Sequence, residues 1–143
     1  MTQMIFVNLP VKDLERSIAF YQAVGAVRDD RFCDATAQAM SFSDTIHVML
    51  LTHDKFASFT DRRIIDAHKE VQVLNCLSRD SREAVDTIVD HASGAGGTAD
   101  PSPQQDYGVM YGRSFADPDG HVWEVMWMDL DAFLAHPPQT ESV

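Results

Sequence analysis

The chain repeats its own plan. An apolar run at residues 4–11, an amphipathic segment and three further strand-like runs at 27–33, 36–43 and 45–52 fill its first part. The same order returns from residue 70, and the two openings read V-N-L-P-V-K-D-L-E-R-S and L-N-C-L-S-R-D-S-R-E-A. The match of elements carries more weight than the few shared residues. With 143 residues the chain can build one domain with a sizeable core but not two ordinary ones. Two similar units must therefore share a single domain. The expected boundaries are a first unit at about 4–52, a connector at 53–70, a second unit at about 71–128 and a tail at 129–143.

Local chemistry supports each element. In K-D-L-E-R-S-I-A-F-Y-Q-A-V-G-A, Leu14, Ile18 and Tyr21 fall on one helical face, with Phe20 and Val24 beside it. Asp13 is a plausible N-cap and Gly25 a plausible residue just past the C-terminus. In the second unit, 70–78 reads as a strand. Ala84, Val85, Ile88 and Ala92 mark a helix that the glycines between 94 and 97 end. Residues 98–108 read as strand edge and loop, 109–116 and 121–128 as strands joined by D-P-D-G. The connector is polar with scattered aromatics and reads as a short helix in a loop; Phe56 and Phe59 would let it cover a cleft. The final A-H-P-P-Q-T-E-S-V reads as disordered.

Charge narrows the function. Eleven Lys+Arg against 22 Asp+Glu give a formal charge of −11, which argues against nonspecific nucleic-acid and anionic-membrane binding. It also disfavours a highly anionic ligand unless a local basic patch exists. No apolar run is long enough for a transmembrane helix, and no secretory signal pattern is visible, so no membrane partner is expected. Cys33 and Cys76 form neither a metal motif nor a disulfide framework, and a cytoplasmic setting is expected.

The stretch F-A-D-P-D-G-H-V-W-E-V-M-W, residues 115–127, places one carboxylate, Glu124, in a strand that is otherwise apolar. A buried carboxylate needs a cation, a metal or hydrogen bonds, or it takes up a proton. Arg113, Tyr111 and Asn8 are candidate partners. By alternation, Met126 and Met128 share the Glu124 face, while Trp123 and Trp127 face the other way. Tyr111, Arg113 and Phe115 share a face that lies either on the cleft or outside it. His121 reads as a turn histidine bonded to the backbone or as a proton donor at the cleft mouth.

Three segments, V-K-D-L-E-R-S-I-A-F-Y, A-S-G-A-G-G and D-P-D-G-H-V-W-E-V, together resemble the vicinal oxygen chelate superfamily, which includes glyoxalase I, bleomycin-resistance proteins, fosfomycin-resistance enzymes and extradiol dioxygenases. The resemblance spans roughly residues 4–128. It implies an α+β fold of two βαβββ modules forming a curled mixed sheet, a half-barrel, around a cleft. It also implies a homodimer. Metal-using members place four ligands in the cleft, and the positions carry over as Phe6, a residue near Leu50, Leu74 (or Val73) and Glu124. Only Glu124 can bind a metal there. His47, by strand alternation, should face away from the cleft, and His53 could reach it from a loop. Asn8 would share the Phe6 side and Thr52 the Leu50 side.

The expectation is a protein that binds a small organic molecule in an apolar cleft lined by Phe6, Asn8, Leu50, Leu74, Tyr111, Arg113 and Met126, with no cofactor. The alternative is a metal-dependent lyase, isomerase or dioxygenase with Glu124 as ligand or catalytic base. A structural or regulatory dimer without catalysis is the third reading.

Overall fold

A computed structural model describes residues 2–136. The first module contains β1 (Ile5–Val11), α1 (Leu14–Ala23), β2 (Val27–Asp34), β3 (Ala37–Ser41) and β4 (Ile46–Thr52). A short helix, α2 (His53–Ala57), opens the connector. The second module contains β5 (Asn75–Ser78), α3 (Arg82–Gly94), β6 (Thr98–Ala99), β7 (Gln105–Asp106), β8 (Met110–Ala116) and β9 (Val122–Met128). A last helix, α4, covers Leu130–Ala135.

The fold is α+β, with two curled sheets not closed into a barrel. One has the order β1-β4-β3-β2; the other is β5-β9-β8-β6, with β7 pairing β8. Each begins with a parallel pair, β1 with β4 and β5 with β9, and continues antiparallel. A parallel pair needs a long crossover between its strands, and the helix and intervening strands of each module supply it.

Helix termini follow the expected chemistry. The Asp13 carboxylate accepts from the Arg16 amide at 3.1 Å, and Ser81 caps α3 in the same way through Ala84. Gly25 takes φ +100°, the left-handed conformation that stops α1. Thr52 caps α2 through the Lys55 amide, so its hydroxyl serves the connector rather than a cleft.

One core joins the modules. Ile18, Phe20 and Tyr21 of α1 meet Val85, Ile88 and Val89 of α3, and both sheets contribute their helix-side residues. Gly97 sits at the closest approach: a Cβ there would lie 2.4 Å from the Ala116 carbonyl and 2.7 Å from the Phe20 ring.

The D-P-D-G turn latches the modules together. Buried Asp117 accepts from the Tyr21 hydroxyl at 2.6 Å and from the amides of Asp119 and His121. The Tyr21 oxygen in turn accepts from the Trp123 indole N–H at 3.0 Å. Asp119 reaches the start of α1, taking the Lys12 amide at 2.9 Å and the Ser17 hydroxyl at 3.3 Å. These acids are the polar glue of the interface as well as turn formers.

Two segments differ from the sequence reading. The second module's first strand is only Asn75–Ser78, because its partner β9 begins at Val122 and pairs from Trp123, leaving residues 71–74 without a ladder. Val71, Val73 and Leu74 are correspondingly exposed. A helix the sequence reading did not predict covers Leu130–Ala135, started by the Asp129 cap and meeting the stretch read as disordered, residues 135–143, at Ala135. The rest of the stretch read as disordered, from residue 137 on, lies outside the described residues.

Candidate functional site

Register decides which side chains face away from the helices. In the first sheet, Phe6 pairs with His47, Asn8 with Met49 and Pro10 with Leu51. The alternate residues Val7, Leu9, Val48 and Leu50 join or pack against the core. Leu50 is fully buried there, which corrects its expected place in the cleft. His47, expected to face away, instead shares the open face and stacks on Phe6 with ring centroids 4.7 Å apart. Its Nδ1 accepts from the Ser41 hydroxyl at 2.7 Å, and its Nε2–H donates to the Asp44 carbonyl. That imidazole is satisfied within its own sheet.

In the second sheet the open face carries Glu124. Cys76 on β5 and Ser114 on β8 flank it in register, and Met126 follows it on the same face. Among the described residues the Glu124 carboxylate has no ion-pair partner. Partial burial of the otherwise exposed Cys76 raises its thiol pKa, and the neighbouring Glu124 charge adds to the rise. The hollow in front of Glu124 holds about 200 Å³, between Cys76, Pro103, Gln105 and Met126.

Tyr111 and Arg113 are not partners of Glu124. They pair with Trp127 and Val125, on the helix side of the strands. The Tyr111 hydroxyl donates to Asp86 of α3 at 2.6 Å. Arg113 donates to Asp86 at 2.9 Å and to Asp100 at 3.0 and 2.7 Å. Its side chain is only 13% exposed, so it is a buried strut rather than a surface or cleft cation. The Asp100 carboxyl lies below its ordinary pKa chiefly because Arg113 bonds it. Asp86 is lowered first by the Tyr111 hydroxyl and then by Arg113.

A larger opening than the Glu124 hollow lies at the seam between the modules. A cavity of about 360 Å³ is bounded by Asn8 and Pro10 of β1, Asn75 of β5 and the His121–Val122 corner. The connector closes it with Phe56, Arg62, Arg63, Ile64, Val71 and Val73. The connector also presses on the D-P-D-G turn. Gly120 has φ +91°, and a Cβ there would lie 2.6 Å from the His68 amide nitrogen. His121 ties the seam shut below: its Nε2–H donates to the Pro10 carbonyl at 2.8 Å, the backbone-bonding role among its two sequence readings. A second hollow of about 470 Å³ adjoins it, lined by Lys12, Arg16, His53, His68, Asp66 and Asp119.

Of the expected site residues, Asn8 borders the seam cavity, while Glu124, Met126 and Arg113 border the smaller hollow, the Arg113 guanidinium being turned to Asp86 and Asp100. Phe6 lies on the open face, 41% exposed, against His47. Leu74 is outside the strand and half exposed, and Val73, the alternative at that position, is the one that lines the cavity. Sequence reasoning missed Arg62, Arg63 and Ile64. The signal was the R-R-I-I run, whose place over the seam no periodicity reveals.

The donor set does not suit a four-ligand cation site. Phe6 and Leu74 offer no lone pair, Leu50 is in the core, and Glu124 has only Cys76 beside it as a second donor. Among the described residues no three His, Cys, Asp or Glu side chains come together in a metal-binding group. Protein metal centres of this kind draw on about three or four such ligands.

Comparison with known proteins agrees with this architecture. The chain resembles protein SA1046 of S. aureus, a hypothetical protein, at 25% identity over 89% of this chain and 94% of that one, with a TM-score of 0.74. A glyoxalase/bleomycin resistance protein/dioxygenase family enzyme from Burkholderia phytofirmans PsJN has 22% identity, covers 89% and 99%, and has a TM-score of 0.71. The fosfomycin resistance protein FosX from Mesorhizobium loti has 17% identity, covers 94% and 96%, and has a TM-score of 0.62. At the last two identities the likeness is one of fold. No curated protein matches. The family model for the Glyoxalase/Bleomycin resistance protein/Dioxygenase superfamily matches residues 3–125, and the chain belongs to that superfamily.

Proposed function

We propose that this protein binds a small organic molecule in the seam cavity, without a four-ligand metal site or other cofactor. The cavity itself carries the reading. At about 360 Å³ it has the size of a small-molecule site, whereas the Glu124 hollow at about 200 Å³ is below the usual range of roughly 300–1,000 Å³, and the adjoining hollow of about 470 Å³ is lined mostly by charged and polar side chains. Its walls are more apolar than polar, and Asn8, Asn75, Gln72, Glu70, His121 and two arginines supply polar groups that could orient a ligand.

A thermal-shift screen of small organic compounds tests this. Compounds that fit should raise the melting temperature, and the rise should grow with concentration as mass action requires. A broad screen without any shift would sink the proposal. Metal retention offers an independent check. Protein dialysed against trace Zn, Ni, Mn and Fe should keep far less than one ion per chain by elemental mass spectrometry, and stoichiometric retention would overturn the metal-free part.

The second reading is a lyase, isomerase or dioxygenase that uses Glu124. One observation favours it: the carboxylate is free of ion pairs and faces open space beside Cys76 and Ser114. A carboxylate so placed can take a proton from a bound carbon acid. Glu124→Gln would then abolish turnover while leaving folding intact, and unchanged turnover would remove this reading.

A homodimer in the cytoplasm completes the proposal. Exposed apolar residues, Ile5 and Phe6 on β1 and Leu74 just before β5 among them, support self-association. Cys33 and Cys76, both free and exposed, fit a reducing compartment. Among the described residues no helix is long and apolar enough to cross a membrane. Light scattering that finds only the monomer mass would refute the dimer.

A further inference from the structure

The cavity at the seam differs in charge from the rest of the molecule. The chain carries −11, yet the cavity wall holds Arg62 and Arg63 against a single acid, Glu70. Elsewhere the arginines are spent. Arg16, Arg28, Arg31, Arg82 and Arg113 each hold a carboxylate, and Arg79, outside the cavity lining, bonds the Ser78 carbonyl at 2.9 Å. Among the described residues Arg62 and Arg63 form no ion pair, although 22 acidic residues are available in the chain. An arginine that folding does not consume keeps its planar fork for a ligand. In the adjoining hollow Lys12 and Arg16, at the start of α1, are balanced by Asp66 and Asp119, so the excess positive charge at the seam is that of Arg62 and Arg63.

Resting on the small-molecule reading above, we infer that the ligand is an amphipathic organic anion. Its apolar body packs against Phe56, Ile64 and Val73, and its carboxylate, sulfonate or phosphate lies within reach of Arg62 and Arg63. The two arginines stand on the connector, and the cavity wall also includes Leu9 and Pro10 of β1 and Val122 of β9, so such a ligand ties the connector to the sheets. Charge-assisted hydrogen bonds of this type are roughly twice as strong as neutral ones. The net charge of −11 on the whole chain repels polyanions, which favours a compact ligand with one or two negative groups.

Two fluorescent probes with the same ring system separate charge from shape: anilinonaphthalene sulfonate, an anion, and phenylnaphthylamine, its neutral counterpart. Titrated into the full chain at low salt, the anion should bind about tenfold more tightly, the effect of one charge-assisted contact. In the Arg62→Gln/Arg63→Gln variant that advantage should vanish, with the neutral probe changed by no more than about twofold. Val73→Trp, at an exposed connector position that lines the cavity, should weaken both probes. Equal binding of the two probes, unaffected by the arginine variant but lost on Val73→Trp, would overturn the anion inference and leave the small-molecule reading standing. Binding of neither probe, or binding indifferent to Val73→Trp, would overturn both.

Discussion

The two faces of the β8–β9 hairpin use polar residues in opposite ways. On the helix side, Tyr111 and Arg113 spend their donors on Asp86 and Asp100. Deeper on that side, Trp123, Tyr21 and Asp117 form a closed chain of hydrogen bonds. On the open side, Glu124 sits between Cys76 and Ser114 without an ion pair. The first set is structural, because burial makes every unmet donor or acceptor costly. The second is available to a ligand because half-exposure lets water satisfy it at little cost. A polar side chain in this fold is therefore read by what it already touches, not by its chemical type.

The sharpest way to break this contrast is Tyr21→Phe. It leaves the Trp123 indole N–H and one Asp117 oxygen without partners in a fully buried place. We expect a loss of about 3 kcal/mol in denaturant unfolding. The loss should depend on pH. Burial raises the Asp117 pKa above 3.8, while the nearby His121 charge and the Tyr21 hydroxyl pull it down. A raised acid favours the folded state at low pH and loses that contribution as pH rises through the folded pKa. Removing the tyrosine hydroxyl pushes Asp117 up further, so the defect should be smaller at about pH 4.5 than at about pH 7. A defect of equal size at both would show that Asp117 does not feel Tyr21.

Arg113→Met tests the strut with a smaller effect, about 1–2 kcal/mol at neutral pH, because Asp86 and Asp100 keep partial access to water. The sign with pH is opposite to that at Asp117. Asp100 is depressed first by Arg113, so its contribution is present above 3.8 and is lost as pH falls through the folded value. In the variant that acid loss should flatten. Part of the slope at Asp86 should remain, since Tyr111 is its largest cause. Parallel acid-unfolding curves for the two proteins would contradict the assignment.

These faces also show how much was legible in the sequence. Helices and most strands were, because caps, glycines and alternation are local: Asp13, Gly25 and the V-W-E-V-M-W run each act within a few residues. Glu124 opposite Trp123 followed from the same alternation. The side of β8 that Tyr111 faces did not, since alternation fixes which residues share a face but not which face meets the helices. Leu50 failed for a related reason. Carrying over the superfamily's ligand position at the end of the first unit placed the cleft residue near Leu50, whereas the parallel register with β1 turns Val48 and Leu50 inward and His47 outward. The connector was legible only as a polar segment, because its position over the seam depends on contacts such as Ala67 and His68 against Gly120. The acids of D-P-D-G read as turn formers, and their grip on α1 is a contact across about a hundred residues that no local pattern encodes.

Glu124→Gln carries the smallest stability effect and is the most telling for function. If the open-face carboxylate belongs to no structural network, replacing it by a neutral isostere should shift unfolding by less than about 0.5 kcal/mol, the scale of surface substitutions. Removing its charge also relieves Cys76. The thiolate should form at a lower pH in the variant, because the nearby negative charge is one of the two causes that raise its pKa. Thiol alkylation rates against pH, read on a Cys33→Ser background, would report that shift directly. A large loss of stability would place Glu124 with Arg113 and Asp117 among the groups that hold the fold. An unchanged fold with a more reactive Cys76 would leave it where the contrast puts it, as a carboxylate that the protein keeps free.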